Sequence, residues 1–449
     1  MIKISVIGTG YVGLVSGACF AEFGFDVTCV DKDPAKISAL HRGEIPIYEP
    51  GLDRLVVKNQ SSGRLHFTTD IAECVPQSDV VFIAVGTPSR RGDGHADLSY
   101  VYAAAKEIAE NLSGYTVVVT KSTVPVGTAR EVEAIIRKAA PKADFNICSN
   151  PEFLREGSAI EDFMRPDRVV VGVDDERAAD MMRALYRPLN LIDVPIAMMD
   201  LASAELTKYA ANAFLATKIS FINQMADLCE KTGADVQDIA RGIGLDRRIG
   251  RKFLHAGPGF GGSCFPKDTR ALMQTGRDMG VPIGLVEEVE RYNEARKLDM
   301  AQRVVALLGD KPQGKTVGIL GVTFKPNTDD MREAPSLTII PALQNAGATV
   351  QAYDPVSMHE AQKMLDGVRW CHDPYSAAQG ADILVIITEW NEFRALDLQK
   401  IKSALNRPLV MDMRNIYKPS DMQAAGFDYY SIGRAPMLSS TNVKNGKAA

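Results

Sequence analysis

The sequence predicts an α/β fold in which two doubly wound, Rossmann-like domains are joined by a long central helix. Apolar strands that end in glycine or aspartate recur in the first and last thirds of the chain, with helical patterns between them. Such alternation is typical of parallel sheets with crossover helices. Residues 200 to about 231 contain neither glycine nor proline, which predicts one long helix. We therefore expect domains at 1–200, 201–305 and 306–438, followed by a flexible tail at 439–449.

The composition argues against several classes of function. A chain of 449 residues with 46% hydrophobic and 24% charged residues is globular and long enough for two or three cores. A net charge of −5 gives no basic bias for nucleic acid, and no apolar run approaches the ~18 residues of a membrane span. The N-terminus lacks the apolar core of a signal peptide, so we expect a cytoplasmic protein. Seven scattered cysteines without a CxxC pair fit a reduced compartment and argue against a metal site.

The first domain opens with a dinucleotide-binding fingerprint. A short apolar strand runs into Gly8-Thr9-Gly10-Tyr11-Val12-Gly13, a helical pattern follows, and a second strand ends in Asp31. In this motif Gly8 allows the tight turn, Gly10 lets a pyrophosphate approach the backbone, and Gly13 lets the helix pack on the sheet. The helix N-terminus would supply N–H donors to the phosphates. The alternative is a glycine-rich turn that binds no ligand.

Asp31 predicts which dinucleotide binds. A carboxylate at the end of the second strand accepts hydrogen bonds from the adenosine ribose hydroxyls and repels a 2′-phosphate. Lys36 is near enough in sequence to touch the same ribose. We therefore predict NAD, rather than NADP, as the cofactor.

Three further apolar strands of the first domain end in polar, proline-marked loops. The strands at 79–85, 115–120 and 146–149 have the continuous apolar character of strands inside a parallel sheet. Because ligands bind at the carboxyl edge of such sheets, we expect the loop tips to converge around the nicotinamide. The candidates there for orienting water or substrate are Thr123, Glu152 and Glu156. Ordinary turn chemistry is the alternative for each of them.

The long helix carries two polar residues that share a face. Lys208 and Asn212 are four residues apart. Lys208 lies among alanine, leucine and tyrosine, an unfavourable place for an ammonium unless an anion pairs with it. The alternatives are a solvated lysine on an outer face and a satisfied core amide. A helix of ~45 Å could also link two domains and pair with its copy in a dimer.

A glycine-rich segment at 257–268 contains a cysteine, a lysine and an aspartate. Four glycines precede Cys264, and Lys267 and Asp268 follow it. Glycines at this density let a backbone approach a ligand closely. A neighbouring cation such as Lys267 would favour the thiolate, which is the nucleophilic form. Asp268 could hold a water molecule or the lysine. The alternative is a turn around a buried, inert cysteine.

Two basic segments are candidates for receiving phosphates. The first, at 247–252, holds four Arg or Lys residues just before the glycine-rich segment, and its alternative is a solvated loop. The second belongs to the last domain, which repeats the strand, loop, helix and strand pattern from 315 to 354 without a GxGxxG motif. Its loop offers Lys325 and Arg332 instead. This indicates an anionic ligand such as a nucleotide diphosphate, rather than a second NAD.

The fingerprint, the cysteine segment and the second nucleotide-like domain together resemble the nucleotide-sugar 6-dehydrogenases. The resemblance covers residues 1–435, and its motifs lie at 8–17, 121–125, 150–156, 259–268 and 324–332. The segment at 259–268 is the most specific of them. Its variant with Phe260 and Phe265-Pro266 favours the branch that oxidises UDP-glucose. GDP-mannose or an N-acetylated UDP-sugar as substrate, and a non-catalytic NAD or nucleotide sensor, are the alternatives.

This resemblance implies a two-step, four-electron oxidation of a primary alcohol to a carboxylate with two NAD. Cys264 would form a thioester, Lys208 and Asn212 would stabilise the oxyanion, and Glu152, Asp268 and Thr123 would assist water. The implied NAD-binding residues are Gly8, Gly10, Tyr11, Val12, Gly13, Asp31, Lys36, Thr87, Thr123, Glu156, Lys267 and Arg332. The implied residues for the sugar nucleotide are Glu152, Phe153, Leu154, Lys208, Asn212, Arg248, Phe253, Leu254, His255, Ala256, Gly257, Gly261 and Lys325.

The resemblance also assigns a task to each domain. It places the NAD site in the first domain, dimerisation and the catalytic cysteine segment in the central domain, and the UDP-sugar site in the last domain. Arg248 would reach the substrate site of a neighbouring subunit. A homo-oligomer that is at least a dimer is therefore implied.

Overall fold

The computed structural model describes residues 2–88, 90 and 95–439, which form two compact units. Unit 1 contains Met1–Ala211 and Arg270–Pro282, and unit 2 contains Asn212–Thr269 and Ile283–Ala449. Each unit is built on one mostly or wholly parallel sheet with helices on both faces, as the alternation of strand and helix patterns predicts.

Unit 1 holds an eight-stranded sheet. Its strands are β1 (Lys3–Ile7), β2 (Asp26–Val30), β3 (Leu65–Thr68), β4 (Val80–Ile83), β5 (Thr116–Thr120), β6 (Phe145–Ser149), β7 (Val169–Gly172) and β8 (Ile196–Met199). The spatial order is β3-β2-β1-β4-β5-β6-β7-β8, and only the pairing of β6 with β7 is antiparallel. The first six strands have the doubly wound order, with its switch point between β1 and β4.

The helices of unit 1 cover both faces of that sheet. They are α1 (Tyr11–Glu22), α2 (Pro34–His41), α3 (Leu52–Ser61), α4 (Ser99–Asn111), α5 (Thr128–Ala139), α6 (Ala159–Met164) and α7 (Glu176–Tyr186). Two apolar clusters fill the space between helices and sheet. One is centred on α1 with Phe20 and Phe82, and the other lies under α4 and α5.

Unit 2 repeats the same sheet order with six parallel strands. They are β9 (Thr316–Leu320), β10 (Thr349–Tyr353), β11 (Val368–Trp370), β12 (Ile383–Ile386), β13 (Leu409–Asp412) and β14 (Asp428–Ser431), in the order β11-β10-β9-β12-β13-β14. The remaining helices of the chain are α8 (Leu201–Thr232), α9 (Val236–Gly244), α10 (Phe265–Asp278), α11 (Gly284–Leu308), α12 (Ser336–Asn345), α13 (Met358–Ala361), α14 (Pro374–Ala378), α15 (Leu398–Ala404) and α16 (Pro419–Ala424). Helices α8 and α10 each begin in one unit and end in the other.

The predicted fold class is confirmed: two doubly wound sheets and one long helix are present. No strand was predicted from the sequence at the positions of β3, β7, β8, β11, β13 and β14. The chain divides into two compact units, and this division does not test the three predicted domain boundaries. Those boundaries stay a prediction. Of the tail predicted at 439–449, only Ser439 lies within the described residues, where it is buried and bonded to Asp428. Within the described ranges, no helix combines the length and apolar character that crossing a membrane demands.

Candidate active site

The fingerprint turn between β1 and α1 has two positions, Gly8 and Gly13, where a side chain would clash with the backbone. Gly8 has φ +105°, and a Cβ there would lie 2.6 Å from the carbonyl oxygen of Ala84. A Cβ on Gly13 would lie 1.9 Å from the carbonyl oxygen of Gly8. The turn itself therefore requires glycine at this position, whatever the packing of the helix on the sheet. A Cβ on Gly10 would meet nothing within 4 Å, which leaves open space in front of the start of α1.

Asp31 follows β2 and is held as a carboxylate. Its Oδ2 accepts hydrogen bonds from the backbone N–H (2.9 Å) and hydroxyl (2.7 Å) of Thr9, and Oδ1 accepts from the N–H of Asp33. The ammonium of Lys36 lies 3.8 Å away. Although burial acts to raise the pKa of Asp31, these donors outweigh it and the pKa falls below its ordinary value. The side chain stays partly exposed, so an ionised acceptor faces the region where a ribose is predicted.

The loops after β4 and β5 are tied to each other. The hydroxyl of Thr87 donates to the carbonyl of Thr123 (2.9 Å), and the hydroxyl of Ser122 donates to the carbonyl of Val85 (2.7 Å). Because β4, β5 and β6 are parallel neighbours, their three loops lie at one edge of the sheet. The expectation that these loops come together is met.

Glu152, in the loop after β6, pairs with Lys208 of α8. The two charged groups are 3.0 Å apart, and the residues are only 6% and 3% exposed. The second oxygen of Glu152 accepts the N–H of Leu154, and the ammonium of Lys208 lies 5.3 Å from the ring centre of Phe153. The prediction that Lys208 needs an anionic partner is thus met, and the alternative of a solvated lysine is wrong.

Tyr11 connects the fingerprint to the loop that holds Glu156. Its hydroxyl bonds to Glu49, which also accepts the N–H groups of Gly157 (2.6 Å) and Ala159 (2.8 Å). Burial first, then Glu49 and Glu156, raise the pKa of Tyr11 well above its ordinary value. Tyr11 and Glu156, both predicted to contact NAD, therefore lie in the same part of unit 1.

In unit 2, Cys264 immediately precedes α10 and differs from every other cysteine of the chain. The six others are buried, and burial raises the pKa of each thiol, to about 12 at Cys29 for example. Cys264 is partly exposed at the start of a helix, where free N–H donors favour an anion. The alternative of a buried cysteine is therefore wrong, and the nucleophilic role of Cys264 stays a prediction.

Asp268, one turn further into α10, is completely buried and joins two predicted site residues. Its Oδ2 accepts a hydrogen bond from Nδ2 of Asn212 (2.7 Å), and the ammonium of Lys267 lies 2.6 Å from Oδ1. The N–H of Asp268 donates to the carbonyl of Cys264. Asn212 is therefore a buried amide that bonds a buried carboxylate, so the alternative of a satisfied core amide remains open beside the predicted catalytic role.

The cysteine segment packs against the loop that follows β9. A Cβ on Gly261 would lie 2.3 Å from the carbonyl of Glu333, and one on Gly262 would lie 2.7 Å from the ring of Phe324. The N–H of Gly262 donates to the carbonyl of Arg332 (2.8 Å). The two predicted substrate segments of unit 2 are thus in direct contact, and packing alone accounts for these glycines.

The segment at 253–257 alternates between buried and exposed side chains. Leu254, Ala256 and Gly257 are buried, whereas His255 is exposed. Phe253 has φ +66°, which is unusual for an aromatic residue and marks a position held by its surroundings. At the end of this segment the N–H of Gly257 donates to Asn223 (2.8 Å) and its carbonyl accepts from Arg296 (3.0 Å), so the backbone there is held in place.

The remaining positively charged residues that were predicted to contact a ligand lie in loops. Arg248 has a side chain that is 89% exposed and pairs with Asp246 (2.6 Å). Arg332 pairs with Asp330 (2.8 Å), and Lys325, half-buried, lies 5.1 Å from the ring centre of Phe324. No group of metal-ligating side chains occurs in the part of the chain that is described.

Known proteins match this arrangement along nearly the whole chain. The NAD binding domain, the central domain and the UDP binding domain of the UDP-glucose/GDP-mannose dehydrogenase family match residues 2–190, 202–295 and 318–419. The chain belongs to the UDP-glucose/GDP-mannose dehydrogenase family. This confirms the family and the NAD cofactor that the sequence predicts.

Individual relatives of this dehydrogenase family agree. The UDP-glucose 6-dehydrogenase of Rhizobium meliloti is 62% identical over 96% of this chain and 100% of its own. Among solved structures, a UDP-glucose dehydrogenase from Pyrobaculum islandicum is 39% identical, with a TM-score of 0.89 over 97% of this chain and 98% of its own. A UDP-D-ManNAc dehydrogenase from Pyrococcus horikoshii is 28% identical, with a TM-score of 0.84 over 96% and 99%.

The residues at the fingerprint fit NAD. The open space beside Gly10 and the N-terminus of α1 suit a pyrophosphate, and the ionised Asp31 suits ribose hydroxyls. The roles predicted for individual site residues stay predictions.

Two residues that sequence reasoning missed also stand at the site. Glu49 orders the loop around Gly157, as described above. The guanidinium of Arg414 lies beside Gly257 and donates to the carbonyls of Ile387 (2.8 Å) and Phe324 (3.1 Å). Both are single charged residues in polar loops, without a motif or periodicity to single them out.

Proposed function

We propose that this chain oxidises the C6 primary alcohol of UDP-glucose to the carboxylate of UDP-glucuronate. The observation that carries the proposal is the partly exposed Cys264 at the start of α10, with Asp268 and Asn212 beside it. Along α8, Asn212 is one helical turn from Lys208, which pairs with Glu152. Bound NAD accepts one hydride in each of the two oxidations.

Cys264 is the proposed nucleophile. The C6 alcohol would first lose a hydride from carbon and a proton from its hydroxyl to give the aldehyde. The Cys264 thiolate then adds to the carbonyl carbon, which forms a C–S bond and leaves the negative charge on the oxygen of a thiohemiacetal anion. Removal of a hydride from C6 leaves a thioester. Water then adds to the thioester carbon, the C–S bond breaks, and the thiolate returns as the carboxylate forms. Covalent capture divides the four-electron oxidation into separate steps and retains the aldehyde.

Lys208 and Asn212 are the proposed donors to the oxyanion. A buried ammonium and a buried amide are stronger donors to a developing negative charge than either would be in water. Glu152, Asp268 and Thr123 are proposed to orient water, and a carboxylate of Glu152 or Asp268 is proposed to accept its proton. Glu152 and Asp268 are both buried and already hydrogen-bonded, which holds each carboxylate in one orientation.

The NAD-binding roles are proposed from the fingerprint turn of unit 1 together with the family resemblance. We assign the pyrophosphate to the turn at Gly8–Gly13 and the adenosine ribose to Asp31 with Lys36. Thr87, Thr123, Glu156, Lys267 and Arg332 are proposed as further contacts. Phe253–Gly257, Gly261, Lys325 and the loop at 152–154 are proposed to hold the sugar nucleotide.

The experiment is an incubation of the protein with UDP-glucose and excess NAD, followed by absorbance at the NADH band. We expect two NADH for each sugar consumed. GDP-mannose and an N-acetylated UDP-sugar serve as matched alternatives, because they test the same chemistry with another base or sugar. Oxidation of one of these in preference to UDP-glucose would contradict the substrate. No NADH from any of them would favour a non-catalytic sensor.

A homodimer is proposed as the assembly. On α8, Phe214, Phe221 and Leu228 are spaced by seven residues and are 66%, 47% and 55% exposed, which forms an apolar row suited to a second helix. In such a dimer Arg248 would reach the partner's substrate. Light scattering should give twice the chain mass, and Phe221→Glu should reduce it to one chain. A wild-type monomer would contradict the proposal.

A cytoplasmic location is proposed as well. All seven cysteines are described and free, which suits a reducing compartment. Fractionation of cells that express the protein tests this, and recovery outside the cytoplasm would contradict it.

A further inference from the structure

Lys121 is a buried lysine that the proposed mechanism does not use. It stands at the carboxyl end of β5 and is 4% exposed. Its ammonium donates to Oδ1 (3.0 Å) and the backbone oxygen (3.4 Å) of Asn150 and to the hydroxyl of Tyr186 (3.4 Å). These three acceptors, an amide oxygen, a backbone carbonyl and a phenol hydroxyl, are all neutral groups. A buried cation without a directly bonded carboxylate is costly, so its presence calls for a reason.

The charges that act on Lys121 belong to the active site. Glu152 attracts its ammonium and Lys208 repels it. Burial lowers the pKa of Lys121 to about 8, with Glu152 and then Cys148 opposing the fall and Lys208 adding to it. The ammonium is therefore largely present below pH 8 and largely lost above it.

The other groups around Lys121 carry no charge near neutral pH. Burial raises the pKa of the Cys148 thiol and of the Tyr186 hydroxyl, so both stay protonated. The aromatic rings near the ammonium of Lys121 are those of Phe82 and Phe163, whose centres lie 6.0 and 5.9 Å from it. Lys121, Glu152 and Lys208 are thus the charged groups that face one another in this cluster.

We propose that Lys121 is a positioning residue whose ammonium shares the negative charge of Glu152 and so leaves Lys208 able to stabilise the oxyanion. This rests on the proposed oxidation. With Lys121 protonated, the three groups carry one net positive charge. With Lys121 neutral, Glu152 cancels Lys208, and a developing oxyanion meets no net positive charge. Lys121 also bonds Asn150, two residues before Glu152, and so holds the start of that loop.

The test compares Lys121→Met with Tyr186→Phe. Each variant removes one donor to Oδ1 of Asn150, whose other donor remains, but only the first removes a charge. The measurement is kcat of each variant divided by kcat of the wild type between about pH 6.5 and 9.5. For Lys121→Met we expect a loss of about tenfold at the acid end, shrinking to about twofold above pH 8, because the wild type then loses the same charge. For Tyr186→Phe we expect a ratio that does not vary with pH.

A second uncharged variant tests whether misfolding of Lys121→Met could explain its loss of activity. Lys121→Gln keeps a donor to Asn150 without the charge, and it should reproduce the pH-dependent ratio of Lys121→Met. A ratio independent of pH in both uncharged variants would overturn the proposal, as would the same pH trend in Tyr186→Phe. The ratios are measured with whichever nucleotide sugar the wild type oxidises. Failure with UDP-glucose alone would therefore contradict the proposed substrate and not the role of Lys121.

Discussion

The two sheets share one strand order, yet the acidic residue after the second strand does different work in each unit. In unit 1, Asp31 follows β2, stays partly exposed and has a lowered pKa. In unit 2, Asp354 follows β10 at the same place in the topology but is completely buried. Its oxygens accept hydrogen bonds from the N–H groups of Val322 (2.8 Å) and Ser357 (2.9 Å) and from the indole of Trp390 (3.2 Å).

This difference explains why one topology supports two sites. Asp31 leaves part of its carboxylate for a ligand, whereas Asp354 uses its carboxylate to hold the loop after β9 in place. That loop packs on the segment that carries Cys264, through Phe324 and Glu333. In unit 2 the acid at the sheet edge is buried and supports the loop that packs on the Cys264 segment, whereas in unit 1 the corresponding acid stays partly exposed.

The largest expected effect is at Cys264, and it distinguishes the cysteine segment of unit 2 from the fingerprint turn of unit 1. Cys264→Ser should reduce carboxylate formation by on the order of 10³-fold or more, because a hydroxyl at neutral pH is a far weaker nucleophile than a thiolate. NAD affinity, measured by fluorescence titration, should be unchanged. Carboxylate formation near the wild-type rate would contradict the covalent step.

The next largest effect concerns Asp354. Asp354→Asn leaves several buried N–H donors facing an amide that cannot accept from all of them, and should lower the free energy of unfolding by about 3 kcal/mol. Urea denaturation measures this. Asp366→Asn, at an exposed position of the same unit, is the control and should change little. An unaffected midpoint in Asp354→Asn would show that this acid does not hold the loop.

A buried acid of unit 1 provides a third test, now of pH dependence. Glu205 on α8 is 2% exposed and accepts the N–H groups of Gly127 (2.7 Å) and Ala129 (2.8 Å) at the start of α5. Burial, although opposed by these donors, raises its pKa from 4.5 to about 7. The folded state then binds a proton more tightly than the unfolded state, so stability falls as pH rises from about 4.5 to 7.

Glu205→Gln should remove that dependence. Between about pH 5 and 7 the wild type should lose about 2 kcal/mol of stability relative to the variant. Thermal unfolding across this range measures the difference. A constant difference would show that Glu205 titrates normally, and that unit 1 holds no acid buried at a structural cost.

The smallest expected effect is at Asp31. Asp31→Asn keeps the shape of the side chain but removes the charge, and should weaken NAD about tenfold, or ~1.4 kcal/mol, while improving the relative affinity for NADP. Titration with both cofactors measures this, and stability should change less than in Asp354→Asn. Unchanged preference for NAD would contradict the ribose assignment and would erase the contrast between the two acids.

Local patterns were enough to predict much of this molecule. The glycine turn at 8–13, the helix at 201–232 and the segment around Cys264 each depend on neighbours in sequence, so their structure follows from spacing and backbone preference. Strands β3, β7, β8, β11, β13 and β14 were missed, because each has only three or four residues and so shows no clear periodicity.

Partnerships between distant residues could not be predicted in the same way. A polar residue in a sequence carries no sign of whether water or a carboxylate faces it, so Lys208 and Asn212 each had a plausible structural alternative. Glu49, Lys121 and Arg414 gave no signal for the same reason.

The sequence by itself determined two doubly wound sheets, a dinucleotide-binding fingerprint and a glycine-rich segment around one cysteine, because turns, strands and helices depend on residues close together in the chain. Only the tertiary structure decided which charges meet. Lys208 pairs with Glu152 and Asn212 bonds Asp268, each across 56 residues of sequence. It likewise decided that Asp31 stays partly exposed while Asp354 is buried and hydrogen-bonded to its own loop, since burial and long-range contact set how a carboxylate behaves.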